Sequence, residues 1–127
     1  MANVIADVAL DAPLNVLKTG NILHVTSAQP ANFAGIAAVT LGNKSAPVIG
    51  AIADYVGAGG GRKVEVAPFA DGTVTATGTG AFWVLADTVG SALLSVVEIA
   101  APQALTSGNG LELTTPITFI INDAVAA

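Results

Sequence analysis

From Arg62 onward the chain alternates. In RKVEVAPFA, Val64, Val66 and Pro68 fall opposite Glu65, Ala67 and Phe69. That period of two is expected where one face of a strand is buried. TVTATGT alternates strictly, with Thr73, Thr75, Thr77 and Thr79 on one side and Val74, Ala76 and Gly78 on the other. AFWVLAD is apolar on both sides, as a strand inside a sandwich would be, and sends Phe82 and Trp83 to opposite faces. LLSVVEI follows a TVGSA turn. LELTTPITFIIND closes the run with Leu111, Leu113, Thr115, Ile117, Phe119 and Ile121 in phase. Pro116 has no N–H to give a ladder, which predicts an edge or a bulge there. Asp71-Gly72 is a turn signal, and Gly78 and Gly80 predict a bend. Strands spaced about 8–12 residues apart imply an antiparallel β-sandwich or barrel-like domain. The expected hairpins join 64–69 to 73–79 and 81–87 to 93–99.

The first half is less regular. NVIADVALDAPLNVLK (residues 3–18) suits a strand-like start followed by a short helix over Leu14 to Lys18, with Pro13 in its first turn and Gly20 as its stop. Asn21 to Ala28 reads as a strand, with Ile22, His24 and Thr26 on one face and Leu23, Val25 and Ser27 on the other. PANFAGIAAVT reads as a helical turn or loop, becoming strand-like from Ala38. Residues 41–61 are rich in glycine and too long for a hairpin turn, which predicts an extended arm or surface loop. The chain is one domain: an N-terminal segment (1–40), this arm (41–61) and a β core (62–127).

Composition sharpens the picture. Only 10% of the 127 residues are charged, 53% are hydrophobic, and the mean hydropathy is +0.72. A domain of this size usually carries about 25% charged residues, so much of the surface is expected to be covered. Lipid is the weaker cover, because the apolar runs are short and interrupted. Asp7 and Asp11 stand where the basic and apolar regions of a signal peptide would be. Protein–protein packing is the better cover, since the cores of interfaces are poor in charge. The net charge is −5, with Lys18, Lys44, Arg62 and Lys63 the only basic residues. That excludes the basic footprint of a nucleic-acid binder. No cysteine is present, so disulfides, thiolate metal sites and cysteine nucleophiles are ruled out.

Little catalytic chemistry stands out. His24 is the single histidine, and no G-x-S-x-G motif accompanies it, so a structural histidine is expected. GAGGGRK (Gly57 to Lys63) fails as a dinucleotide fingerprint, because Arg62 replaces the third glycine and a strand follows rather than a helix. GNKS (Gly42 to Ser45) lacks the Walker spacing. Neither enzymatic activity nor a cofactor or metal site is predicted. Asn43-Lys44-Ser45 matches a glycosylation sequon, which means nothing without a secretory context.

LGNKSAP at 41–47, GRKVEVA at 61–67, DGTVTATGTGAFWVLAD at 71–87, Leu93-Leu94 and QALTSGNGLEL at 103–113 carry a resemblance. Together they resemble small tailed-bacteriophage virion proteins with a GRxVxVA strand, a DGTVTATGTAxxWALVD segment and a TSGN turn. Gly80 and Phe82 depart from that pattern, where an alanine-like or larger residue and a polar residue are usual. The resemblance covers about two thirds of the chain. It implies a non-enzymatic structural subunit, made in the bacterial host cytoplasm and located in the virion. It further implies a decoration or cement protein whose partners are the major capsid protein and its own copies, without nucleic acid or membrane. A tail or neck component, or a surface module that binds carbohydrate or a receptor through Trp83, are the alternatives. The residues expected at the interface are Leu41, Val48, Ile49, Ile52 and Tyr55 of the arm, Arg62 at its end, and Phe82 or Trp83. The N-terminal segment Ala2 to Leu17 is expected to join them.

Overall fold

The computed structural model describes residues 7–57 and 60–121. In chain order these form α1 (Asp7–Leu17), β1 (Ile22–Thr26), a 3-10 turn (Phe33–Gly35) continuing into α2 (Ile36–Val39), β2 (Thr40–Ser45), β3 (Ala53–Asp54), β4 (Arg62–Val66), β5 (Phe69–Val74), β6 (Gly78–Asp87), β7 (Ala92–Leu105), β8 (Gly110–Leu113) and β9 (Ile117–Ile121). A curled antiparallel sheet of six strands has the order β7-β6-β1-β2-β5-β8, and a second, of three, has the order β3-β4-β9. The protein is therefore mainly β and sandwich- or barrel-like, with a short N-terminal helix, as the alternation predicts.

The alternation decides what each face meets. Leu23 lies across from Leu85, Val25 from Trp83, and Gly42 from Val74, so these residues share the inner face. Val64 and Val66 of the small sheet are buried, and Val66 packs with Leu23, Leu85, Leu113 and Ile117. A second cluster joins Val25, Leu41, Val74 and Leu111. The opposite face of the large sheet has its own cover: Ile36, with Phe33 beside it, lies over Val84, Ala86 and Phe82. This double cover explains why AFWVLAD is apolar on both sides. Asn32 starts the covering turn by accepting a 2.9 Å bond from the Gly35 amide on its side-chain oxygen. Buried Thr26 satisfies its hydroxyl by donating to the Ala28 carbonyl at 2.8 Å.

The structure revises several expectations. The helix is longer than Leu14 to Lys18, and Pro13 lies in its interior rather than its first turn. Leu14, fully buried, anchors α1, and loss of such a side chain typically costs about 2–5 kcal/mol. That burial offsets the N–H that Pro13 cannot contribute. The strand-like start expected around Val4 lies outside the described residues. Gly20 follows the helix, but its role is close packing: a Cβ there would stand 2.6 Å from Leu85 Cδ1.

Residues 41–61 are not an arm throughout. Leu41 to Ser45 belong to β2, in the middle of the large sheet between β1 and β5. The expected hairpin of 64–69 with 73–79 does not form. β4 pairs instead with β3 and β9 in the small sheet, and the chain switches sheets before β5. Asp71-Gly72 is not a turn but part of β5. Asp71 reaches sideways to Lys44 of β2, its Oδ1 3.0 Å from Nζ, which holds the Asp71 carboxyl below the usual aspartate range. Gly72 lets β8 come close, since a Cβ would lie 2.9 Å from that of Leu111.

TVTATGT is split between the end of β5 and the start of β6, and Gly78 and Gly80 are strand residues rather than a bend. Its alternation nevertheless holds: all four threonines are exposed and Val74 is buried. The small inward residues accommodate Leu41 against Gly78 and Val25 against Gly80. The hairpin of 81–87 with 93–99 forms as β6 and β7. LELTTPITFII is two strands, not one. β8 edges the large sheet and β9 joins the small one, with Pro116 in the crossing. Asn122 and Asp123 lie outside the described residues.

Candidate functional site

The segment between β2 and β4 forms a ledge on the small sheet. Main-chain bonds fix it at both ends: Ala67 N donates to Val48 O at 2.8 Å, Gly50 N to Glu65 O at 2.9 Å, and Tyr55 N to Gly61 O at 2.9 Å. Ile49 bridges Val66 and packs on the core below it. Gly60 (φ 57) and Gly61 (φ 112) take left-handed conformations in the return to β4, which glycine adopts without a Cβ penalty. Gly57 lies so close to the Tyr55 ring that a side chain there would overlap its hydroxyl. The outcome is a fixed surface that leaves Val48 66% and Val56 95% exposed. Two solvent-facing valines thus stand on a segment whose backbone is tied to the small sheet.

The residues expected at an interface do not form one patch. Val48 is exposed on the ledge, and Ile52 and Tyr55 are half-buried there. Ile49 is turned partly into the core. Leu41 is only 7% exposed and belongs to the core cluster of Val25 and Val74, so it offers nothing to a partner; its place in a central strand is the reason. Arg62 spends its guanidinium inside the chain, with Nε 2.8 Å from Asp11 Oδ1 and Nη1 2.6 Å from Asp54 Oδ1, and is a clamp rather than a contact residue. Phe82 and Trp83 do take opposite faces: Phe82 packs under Ile36, and Trp83 packs on both inner clusters. Of the N-terminal segment, Leu14 is core and Val16 is 55% exposed.

Sequence reading missed Val56 and also Val89, which is 91% exposed at the tip of the β6–β7 hairpin. Each is a single valine followed by a glycine, Gly57 or Gly90, and a lone apolar residue in such a setting is the only signal that marks them.

His24 sits on the outer face of β1, paired across the sheet with Asn43 and Val84. Its Nδ1 lies 3.0 Å from Thr40 Oγ1, and that hydroxyl donates to Gly42 O at 3.3 Å. Nδ1 and the threonine hydroxyl share one hydrogen bond. Burial pushes its pKa below the usual histidine value. Among the described residues, no group of three His, Asp or Glu side chains is placed to hold a metal ion, and no helix is long and apolar enough to cross a membrane. None of the protein-family models, curated proteins or solved structures compared with the chain matches it.

Proposed function

We propose that this chain is a non-enzymatic structural protein of a phage virion, a decoration or cement protein that binds the head lattice through its 46–57 ledge. The observation that carries the reading is the ledge itself, with Val48 and Val56 held exposed on a segment pinned by three main-chain bonds. A preordered surface loses little conformational entropy on docking. Each valine side chain covered by a partner contributes about 1.5–3 kcal/mol. The resemblance of the β segments to phage virion proteins points to the capsid as the partner, and the sparse charge of the chain suits an apolar contact. The protein acts by burying surface between neighbours, with no covalent step.

The test is reconstitution. Purified protein is added to heads assembled without it, and occupancy is read by co-sedimentation. The double variant Val48→Asp/Val56→Asp changes exposed positions, so its melting temperature stays near that of the parent while occupancy falls. Full occupancy by the double variant removes the ledge from the contact. Rings or tubes formed by the protein alone, with no binding to heads, place it in the tail or neck instead.

A further inference from the structure

Of the seven asparagines in the chain, only Asn109 precedes a glycine. It closes the turn that leads into β8. Asn109 N donates to Thr106 O at 3.1 Å, and Gly108 takes a left-handed φ of 92°. Gly108 N donates to Val74 O, and Val74 N to Asn109 O, both at 2.9 Å. Two residues on the β8 side thus face one of β5, which is a bulge with glycine in its first position. Asn109 and Gly110 are both exposed. Among the described residues, none hydrogen-bonds to the Asn109 side chain.

The ladder decides where the next amide points. In an antiparallel pair of strands, bonded and non-bonded couples alternate. Val74 exchanges its bonds with the bulge, and Gly72 pairs with Leu111 further on. The couple between them, Thr73 with Gly110, is therefore the non-bonded one. The Gly110 N–H points away from β5, and β8 is the end strand of the large sheet, with no strand on that side. A free backbone amide thus follows directly on a free carboxamide, and it belongs to a residue with no side chain to crowd its approach.

Asp71-Gly72 has the same chemistry in its sequence and the opposite geometry. Asp71 Oδ1 is 3.0 Å from Lys44 Nζ, and a carboxylate kept ionised resists nucleophilic attack. Gly72 stands in the bonded couple with Leu111, so the ladder engages its amide.

We infer that Asn109 is a self-modifying site, where the Gly110 amide nitrogen attacks the Asn109 side chain and converts it to aspartate and isoaspartate. Hydroxide takes the Gly110 amide proton and returns it, by way of water, to the departing nitrogen. The bond from Gly110 N to Asn109 Cγ forms, the Cγ–Nδ2 bond breaks, and ammonia leaves a cyclic imide behind. Water then opens the imide at either carbonyl. The balance is one water consumed and one ammonia released. Turning the Asn109–Gly110 peptide into reach breaks the bond from Val74 N to Asn109 O, at the corner where β8 begins. Isoaspartate routes the main chain through the former side chain, which lengthens the bulge. The site is independent of the ledge, and the inference stands whether or not the protein binds heads.

The purified full chain is incubated at mildly alkaline pH, folded in buffer and unfolded in guanidinium chloride, and each site is followed by peptide mapping. In the folded chain Asn109 is lost before any other asparagine. Its rate stays within about tenfold of that in the unfolded chain, because one main-chain hydrogen bond is all that holds it back. Isoaspartate at Asp71 forms only in the unfolded chain. Gly110→Val keeps its melting temperature, since a Cβ there meets only Gly72 O, at 3.9 Å, and a β-branched residue suits a strand. It slows the loss of Asn109 by about tenfold or more, the equivalent of about 1.4 kcal/mol of barrier. The inference is overturned if folding slows Asn109 by more than about tenfold, or if another asparagine is lost first. It is equally overturned if Asp71 converts as fast folded as unfolded, or if Gly110→Val slows the reaction less than stated.

Discussion

Arg62 grips Asp11 at two points, Nε 2.8 Å from Oδ1 and Nη2 3.3 Å from Oδ2, and so ties helix α1 to the start of strand β4. Its remaining nitrogen reaches Asp54 of β3 at 2.6 Å. A planar guanidinium satisfies both geometries at once, and an ammonium cannot. Arg62 and Asp11 are largely shielded, with side chains 18% and 22% exposed, whereas Asp54 is 73% exposed. The Asp11 contact therefore dominates. Arg62→Ala is expected to cost about 1–3 kcal/mol in urea unfolding, and Asp54→Asn well under about 1 kcal/mol, as exposed pairs do. Equal losses for the two variants would contradict this ranking.

The threonine–glycine alternation makes a second prediction. Thr75 and Thr77 are exposed, so replacing either with serine should change stability by no more than about 0.5 kcal/mol. The glycines differ sharply. A Cβ at Gly42 would stand 2.5 Å from the carbonyl oxygen of Thr73, and one at Gly80 would stand 2.8 Å from Val25 Cγ2. Backbone cannot yield as a side chain can, so Gly42→Ala should be the more damaging of the two, with Gly80→Ala costing about 1–3 kcal/mol from overpacking. Thermal denaturation of the four single variants separates the two classes.

His24 gives the protein a pH dependence of known sign. Its folded pKa lies below the unfolded value because burial disfavours the imidazolium. Unfolding then takes up a proton at mildly acidic pH. Stability is undiminished above the unfolded pKa of about 6.5 and falls as the pH drops from there toward the folded pKa. His24→Gln should flatten that decline relative to the parent in urea titrations across this window. Parallel curves for the two proteins would show that His24 does not cause it.

Phe69 is the edge partner of Trp83 and packs on both inner clusters. Phe69→Leu removes the ring contact and keeps most of the apolar volume. A cost of about 0.5–1.5 kcal/mol, the usual worth of an aromatic pair, should appear in denaturant unfolding, along with an altered Trp83 emission. A variant with unchanged emission would mean the rings do not touch in solution.

Much of this architecture was legible in the chain. The period of two around Val64 and Val66, the doubly apolar AFWVLAD and the partition of Phe82 from Trp83 all follow from side chains alternating about a strand. Partner choice was not legible. β4 alternates equally well whether it pairs with β5 or with β9, and only the packing of both sheets around Leu23 and Leu85 selects the second. Asp71-Gly72 carries turn chemistry, yet Lys44 and Leu111, remote in sequence, hold it in a strand. The ledge at Val48 and Val56 was read as a free arm because the amides that pin it bond to backbone carbonyls, which leave no trace in side-chain identity.

The crossing at Pro116 gives the chain a direction in time. β4 must wait for β9, its neighbour across a long stretch of sequence and the last described strand to leave the ribosome. The large sheet has all its members by the end of β8 and can collapse first, while such long-range pairings form late. A nascent chain stalled before Ile117 would therefore hold every strand of the large sheet while β4 had only β3 beside it. The small sheet is completed as a single late event, when Ile117 to Ile121 reach Val66 to Arg62.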